Sequence, residues 1–224
     1  MLNQNNFLGP LAELDNDLSV EFRRYGEVIK FDKNSNIFDS DYTLNWFYII
    51  VNGKVKVYDI NFKTNREQTL YMLIRGDMFD LVTLLDYRPH ELAVDVLEGG
   101  EVIRFPVEKV REWMRKYITF EQLIYRYVAM QMRNLEELTL DLSLRETKER
   151  LLKLILKNVE TIDKRGVDVL EKLSHTEIAN LIGTVRHIID KHLKSLQNEN
   201  VIDIKNRKIS LQNAKKVLDM LTDL

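Results

Sequence analysis

The chain contains no cysteine. That excludes a disulfide framework, a zinc site built on thiolates, a cysteine-held iron–sulfur cluster and a cysteine nucleophile. Proline is nearly as scarce, with three residues, all before position 107. No apolar run approaches the ~18 residues that a membrane helix needs. The N-terminal MLNQNNFLGPL lacks the basic patch and long apolar core of a signal peptide. A cytoplasmic protein with no membrane partner is therefore expected. Histidine numbers four, and only His90 lies in the first half of the chain. A cupin-like metal enzyme, the one enzymatic alternative, needs two or three clustered histidines plus a carboxylate. No catalytic or metal site is expected. Net charge is small too, −2 from 33 basic and 35 acidic side chains.

Apolar residues make up 45% of the 224 and charged residues 30%, which places the chain among folded globular proteins rather than disordered ones. Six of the eight glycines fall in the first hundred residues. Turns should be frequent early and rare late. The early half reads as short strands. Trp46 to Val51 and Val55 to Ile60 flank Asn52-Gly53, a strong hairpin signal. Gln68 to Ile74 stops at Arg75-Gly76-Asp77, and Leu92 to Val96 and Glu101 to Phe105 bracket Gly99-Gly100. Closely spaced strands of this kind predict a β-roll of jelly-roll type.

After Pro106 the pattern turns helical. Val107 opens a short helix, and no glycine or proline interrupts the chain from Phe120 to Leu144. Ile124, Val128, Gln131, Leu135, Leu138 and Leu142 recur at steps of four and three, an a/d seam. A seam of ~25 residues spans ~37 Å and outruns one small barrel, so it predicts a parallel dimerisation helix. A further helix runs from Arg145 to about Val159, followed by a polar loop from Glu160 to Asp168.

The most specific stretch is Leu173 to Leu193. Ser174 with Glu177 forms a capping box. Ala179 is small where a second helix must approach. Gly183 ends the first helix, Thr184 is placed to cap the next, and Ile189 locks the pair. These separations predict a helix-turn-helix. The second helix shows Arg186, His187, Lys191 and Lys194 on its outer face. Arginine near the start of such a helix reads guanine O6 and N7 in the major groove. Val201 to Ile204 and Ile209 to Leu211 read as a two-stranded wing, with Lys205, Arg207 and Lys208 at its tip against phosphate. Gln212 to Leu221 closes the domain as a helix.

This order of parts resembles the Crp/Fnr family of bacterial transcription regulators over nearly the whole chain. Phe47 to Val57 looks like the family's "(Y/F)xIxxGxVxV" hairpin with one extra residue before Gly53. Arg75-Gly-Asp-Met-Phe79 looks like its "xGDxF" entry to the effector loop. Ser174 to Arg186 is similar to "(T/S)xxEIAxxxGxSR". The resemblance implies an α+β protein in three parts: a cyclic-nucleotide-binding-like roll over 1–118, a dimerisation helix over 119–145 and a winged helix-turn-helix over 146–224. It implies a homodimer that binds double-stranded DNA at a rough palindrome, as activator or repressor, with RNA polymerase as a further partner if it activates.

Arg186, His187 and Lys191 fall on the family's base-reading positions. His187 replaces the usual glutamate, and Lys191 an arginine, so the target should differ there. Ser174, His175, Thr176, Thr184 and Lys194 fall beside the backbone, with the wing cations. The resemblance places a tentative effector pocket at Asp80, Leu81, His90, Glu91, Leu92 and Leu135. Cyclic-AMP binders carry Gly-Glu and Arg-Ser where this chain has Asp80-Leu81 and Glu91-Leu92. A carboxylate in place of the phosphate-binding arginine repels an anionic nucleotide, so a small-molecule effector other than cAMP is expected, its identity unknown. The absent cysteines remove the iron–sulfur branch. A haem-based gas sensor with His90 as ligand is the alternative within the family, and a roll serving only as dimer scaffold is another reading.

The near-neutral total conceals a division. Residues 151–224 carry 13 basic and 10 acidic side chains, whereas residues 1–150 carry 20 and 25. An acidic body limits adhesion to DNA away from the recognition helix.

Overall fold

The computed structural model describes residues 16–36, 38 and 44–222. The signal-peptide reading of MLNQNNFLGPL falls outside them. Among the described residues no helix is long and apolar enough to cross a membrane. The chain divides into two compact units. Unit 1 holds the described residues up to Val57 together with Tyr71–Asn134. Unit 2 holds Tyr58–Leu70 and Leu135–Leu224.

Unit 1 opens with α1 (Asn16–Tyr25), whose Leu18 and Phe22 lie four apart and are both buried. The roll follows: β1 (Glu27–Phe31), β2 (Trp46–Asn61), β3 (Arg66–Leu73), β4 (Met78–Phe79), the short helix α2 (Leu81–Asp86) and β5 (Ala93–Pro106). The sheet order is β1-β5-β2-β3, with β4 pairing β2. Strand β1 runs antiparallel to β5 from Glu27 opposite Arg104 to Phe31 opposite Gly100.

Two of the expected turns are absent. Residues 46–61 form one strand through Asn52-Gly53, and 93–106 one strand through Gly99-Gly100. Glycine is needed here for close approach. A methyl group on Gly100 would overlap the Asn52 backbone, and one on Gly53, held at φ +101°, would lie 2.9 Å from Glu98 O and from the Phe31 ring. The hairpin turn comes later, at 62–65, where Asn61 Oδ1 accepts from Lys63 N at 3.0 Å and Asn65 takes φ +51°.

Pro106 ends the sheet and α3 (Val107–Lys116) begins at once, burying Val107, Val110 and Trp113. Trp113, Phe22, Phe105 and Phe120 form one aromatic cluster with centroids 4.7–6.3 Å apart. Such pairs each contribute ~0.5–1.5 kcal/mol beyond area burial. A second core, around Phe31, Tyr48, Ile50, Val57 and Val102, fills the roll's other side.

The long helix α4 (Ile118–Leu144) starts in unit 1 and finishes in unit 2. Unit 2 continues with α5 (Thr147–Arg165), α6 (His175–Leu181), α7 (Arg186–Asn198), β6 (Ile202–Lys205), β7 (Lys208–Leu211) and α8 (Ala214–Thr222). Helix α5 outruns its expected end by six residues and stops at Gly166. Lys153 ties α5 to α4 through Asp141 at 2.6 Å and Glu137 at 3.2 Å, with Lys157 reaching Glu137 at 3.0 Å. Leu151, Leu152, Ile155, Ile178, Ile189, Leu193, Leu196, Val201 and Val217 form the buried apolar interior of this unit.

Candidate nucleic-acid interface

Helix α6 begins as the capping box requires. The Glu177 amide donates to Ser174 Oγ at 3.2 Å while the Glu177 carboxylate accepts from the Ser174 amide. At its other end Thr184 N donates to Ala179 O at 2.9 Å. Gly183, at φ +65°, then turns the chain toward α7. That φ favours glycine, and an added side chain would also displace the ends of the Leu142 and Gln68 side chains, the Gln68 Oε1 lying 2.8 Å away.

The N-cap of α7 is Val185, with no side-chain cap bond, rather than the expected Thr184. Within the first turn the Ile188 amide donates to Val185 O at 3.1 Å, and no side chain caps this end of α7. An open helix N-terminus of this kind suits phosphate oxygen.

Ile189, Leu193 and Leu196 bury one face of α7. Arg186, His187, Lys191 and Lys194 lie exposed on the other. The Arg186 side chain is 70% exposed, and its nearest anion is Asp190, 3.6 Å away and one turn on. Asp190 also pairs with His175 of α6. His175, then Arg186 and His187, hold the Asp190 carboxyl below its usual range. Sequence reasoning passed over Asp190. Its signal was an acid four residues after Arg186 on an otherwise basic face.

At the wing, Asn206 and Arg207 both take positive φ, as a tight hairpin turn requires. Lys205, Arg207 and Lys208 are exposed. Lys205 Nζ meets Asp203 at 2.6 Å, and Lys208 Nζ lies 3.9 Å from Asp168. Thr176 is exposed on α6. Ser174, His175, Thr176, Thr184, Arg186, His187, Lys191, Lys194 and the wing cations all fall in unit 2.

The residues expected to line an effector pocket divide. Asp80 is buried and caps α2. Its Oδ1 accepts from Val82 N at 3.1 Å and faces His90 Nδ1 at 3.0 Å, and its Oδ2 accepts from Thr83 Oγ1 at 2.7 Å. Leu81 is buried, Leu92 packs against the roll's second core and Glu91 is exposed. Leu135 belongs to unit 2. The bond to Asp80, with smaller help from its charge and that of Asp86, raises the His90 pKa against the opposing effect of burial. His90 is thereby committed to a carboxylate, which does not favour the haem alternative.

The raised pKa has a consequence for stability. A group whose pKa is higher when folded stabilises fully below its unfolded value, ~6.5, and loses that contribution as pH rises through the folded value. The His90 ring should titrate above the ordinary histidine range by NMR, and Asp80→Asn should return it there. An unchanged midpoint in Asp80→Asn would remove the pairing as cause.

The "GD" turn holds a further group that sequence reasoning missed. Tyr127 is buried on α4, and its hydroxyl donates to Asp77 Oδ1 at 3.1 Å. The same oxygen accepts from Met78 N at 3.1 Å and from Gln131 Nε2 at 2.8 Å. Burial, then the Asp77 charge, pushes the phenol far above its usual range, so it remains a donor.

A roll followed by a long helix and a winged helix-turn-helix with an exposed arginine defines a DNA-binding transcription regulator. The comparisons agree. The description "Cyclic nucleotide-binding domain" matches residues 28–117, and "Crp-like helix-turn-helix domain" matches residues 149–220. The global nitrogen regulator of Synechocystis sp. is 24% identical over 213 residues, covering 89% of this chain and 93% of that protein. An anaerobic regulatory protein of Pasteurella multocida is 23% identical, covering 84% and 69%. Among solved structures, FixK2 from Bradyrhizobium japonicum has a TM-score of 0.76 at 19% identity, covering 87% and 96%. A CooA mutant from Carboxydothermus hydrogenoformans has a TM-score of 0.74 at 15%, covering 99% and 98%. The chain belongs to the Crp/Fnr family of transcription regulators.

Proposed function

We propose that the protein acts as a homodimer that reads a roughly palindromic DNA site with Arg186, His187 and Lys191. The observation that carries this reading is the exposed Arg186 at the uncapped start of α7, whose opposite face is buried. Bases are read by Arg186, His187 and Lys191, while Ser174, His175, Thr176, Thr184 and Lys194 lie along the backbone. Lys205, Arg207 and Lys208 contact phosphate from the wing. In a two-fold dimer the two α7 helices enter major grooves one turn apart, ~34 Å. Selection from random duplexes followed by footprinting tests this. A two-fold symmetric consensus is expected, and unselected or asymmetric sites would refute it. In the same assay Lys208→Ala should weaken selected and random duplexes alike and lower the salt slope by ~1 per lost phosphate contact.

The dimer forms along α4, but its seam differs from the expected one. Ile124 is wholly buried in the unit 1 core, and Gln131 turns its amide onto Tyr127. A residue packed inside its own unit is not available to a partner. Tyr125, Met132 and Leu142 of α4 are exposed and Leu135 is half-buried, whereas Val128 packs against the unit 1 core. Leu138 is half-buried too.

The controlling effector is a small molecule other than cAMP. One relative, from Mycobacterium tuberculosis, is called a cAMP-activated regulator and is 20% identical. The resemblance sets Glu91 at the position of the phosphate-binding arginine and Asp80-Leu81 at the pair that holds the ribose, which supports this reading. Cyclic AMP should leave the melting temperature unchanged; a rise that saturates with cAMP would overturn this. If the regulator activates, RNA polymerase is its further partner.

A further inference from the structure

The first helix of the motif, α6, leaves carbonyl groups open where it meets the turn. Ala179 O is satisfied within the motif, by Thr184 N. Two further carbonyls, those of Asn180 and Gly183, are served from far away in sequence. Gln68 Nε2 donates to Asn180 O at 3.1 Å, and Arg66 Nη2 donates to Gly183 O at 3.0 Å. These pairs are 112 and 117 residues apart. Gln68 is also the side chain against which Gly183 packs, since a methyl group there would lie 2.8 Å from its Oε1.

Residues 58–70, the distal ends of β2 and β3, belong to unit 2 with the helix-turn-helix. The hairpin tip is therefore part of the reader. The proximal halves of the same strands bury Val55, Val57 and Leu73 in the second core of unit 1. We propose that Arg66 and Gln68 are positioning residues for DNA reading: they complete the hydrogen bonding of the turn and so set the direction in which α7 presents Arg186. This rests on α7 being the base-reading helix. An arginine at the carbonyl end of a helix also matches its partial negative charge. Neither residue covers the reading face, because Arg186, His187 and Lys191 stay exposed while both bonds are made.

The test uses the full chain as wild type and as Arg66→Ala/Gln68→Ala. Gln68→Ala alone removes a donor without removing charge, and serves if the double variant does not fold. Arg66→Lys keeps the charge and one donor. Lys63→Ala removes a neighbouring tip cation whose side chain makes no contact described at the turn. Two readouts are taken: hydrogen exchange of the 182–185 amides in the free protein, and affinity for the duplex selected by wild type against a random duplex.

The double variant should exchange the Thr184 amide at least tenfold faster. It should lose at least tenfold in affinity for the selected duplex, with random-duplex binding within twofold and an unchanged melting temperature. Arg66→Lys should recover most of the loss. Unchanged exchange at Thr184 overturns the proposal. So does faster exchange with unchanged selected-duplex affinity, and so does an equal loss on both duplexes that Lys63→Ala reproduces. A wild type that selects no duplex refutes base reading itself and the positioning role with it. A selective wild type with an indifferent double variant refutes the positioning role alone.

Discussion

Arg186→Ala should relax sequence selection at one base per half-site while leaving general DNA binding largely in place. The guanidinium is 70% exposed, so its removal costs the fold little. A bidentate arginine–guanine contact is worth ~1–3 kcal/mol of discrimination. A two-fold dimer carries two, so the selected duplex should weaken by about 2–6 kcal/mol if the half-sites act independently. Each ~1.4 kcal/mol is a tenfold change in Kd, which puts the loss well above measurement error. Random-duplex affinity depends on phosphate contacts and should fall only by the contribution of one cation per protomer. Competition titrations with the two duplexes measure both. Equal losses on both would show that Arg186 touches phosphate rather than bases. Asp190→Asn sharpens the assignment: releasing its ion pair should broaden the preference at the base Arg186 reads and leave the others alone.

Tyr127→Phe should produce the largest loss of stability among single-atom deletions in unit 1. The hydroxyl serves three partners, and two of them, Met78 N and the Asp77 carboxylate, are buried at the start of β4. Phenylalanine fills the same volume, so the effect comes from polar groups left without this partner. The Met78 amide loses this acceptor, whereas Asp77 keeps the Ile74 amide on Oδ2, so the expected cost is about 1–3 kcal/mol. For a chain of this size ~2–4 °C of melting temperature follows each kcal/mol. Thermal unfolding followed by the signal of Trp113, wholly buried in the same unit, reads the change. A shift under about 1 kcal/mol would mean that water replaces the hydroxyl without penalty.

Much of the reader was legible from local chemistry. Ser174 with Glu177, then Ala179, Gly183, Arg186 and Ile189, are separated by fixed helical steps, and such steps survive folding unchanged. The wing was legible for the same reason, because two strands joined by two residues leave little freedom. The roll was legible as a roll but not in its turns. Asn52-Gly53 has the composition of a tight hairpin turn, yet neighbouring strands pass so close that glycine is required inside a continuous strand. Heptad spacing on α4 records apolar residues without saying which body they face. Ile124 satisfies the spacing and is spent on its own core. The hydrogen bonds of Tyr127 to the Asp77 turn, and those of Arg66 and Gln68, were invisible for a different reason. Each pairs with groups that only the three-dimensional path brings near, and no spacing rule reaches across 50 or 117 residues.

The hairpin tip also governs the order in which the molecule is built. Unit 2 is discontinuous, so the C-terminal segment has its full complement of partners only when residues 58–70 are delivered to it. Closing a loop of more than a hundred residues is entropically slow, although each doubling of length adds only ~0.6 kcal/mol. During synthesis from the N-terminus the hairpin emerges long before the turn it serves. It can be shaped by the sheet first and be waiting when Asn180 and Gly183 leave the ribosome. The late segment then folds onto a ready template, and the last contacts to form are those that aim the recognition helix.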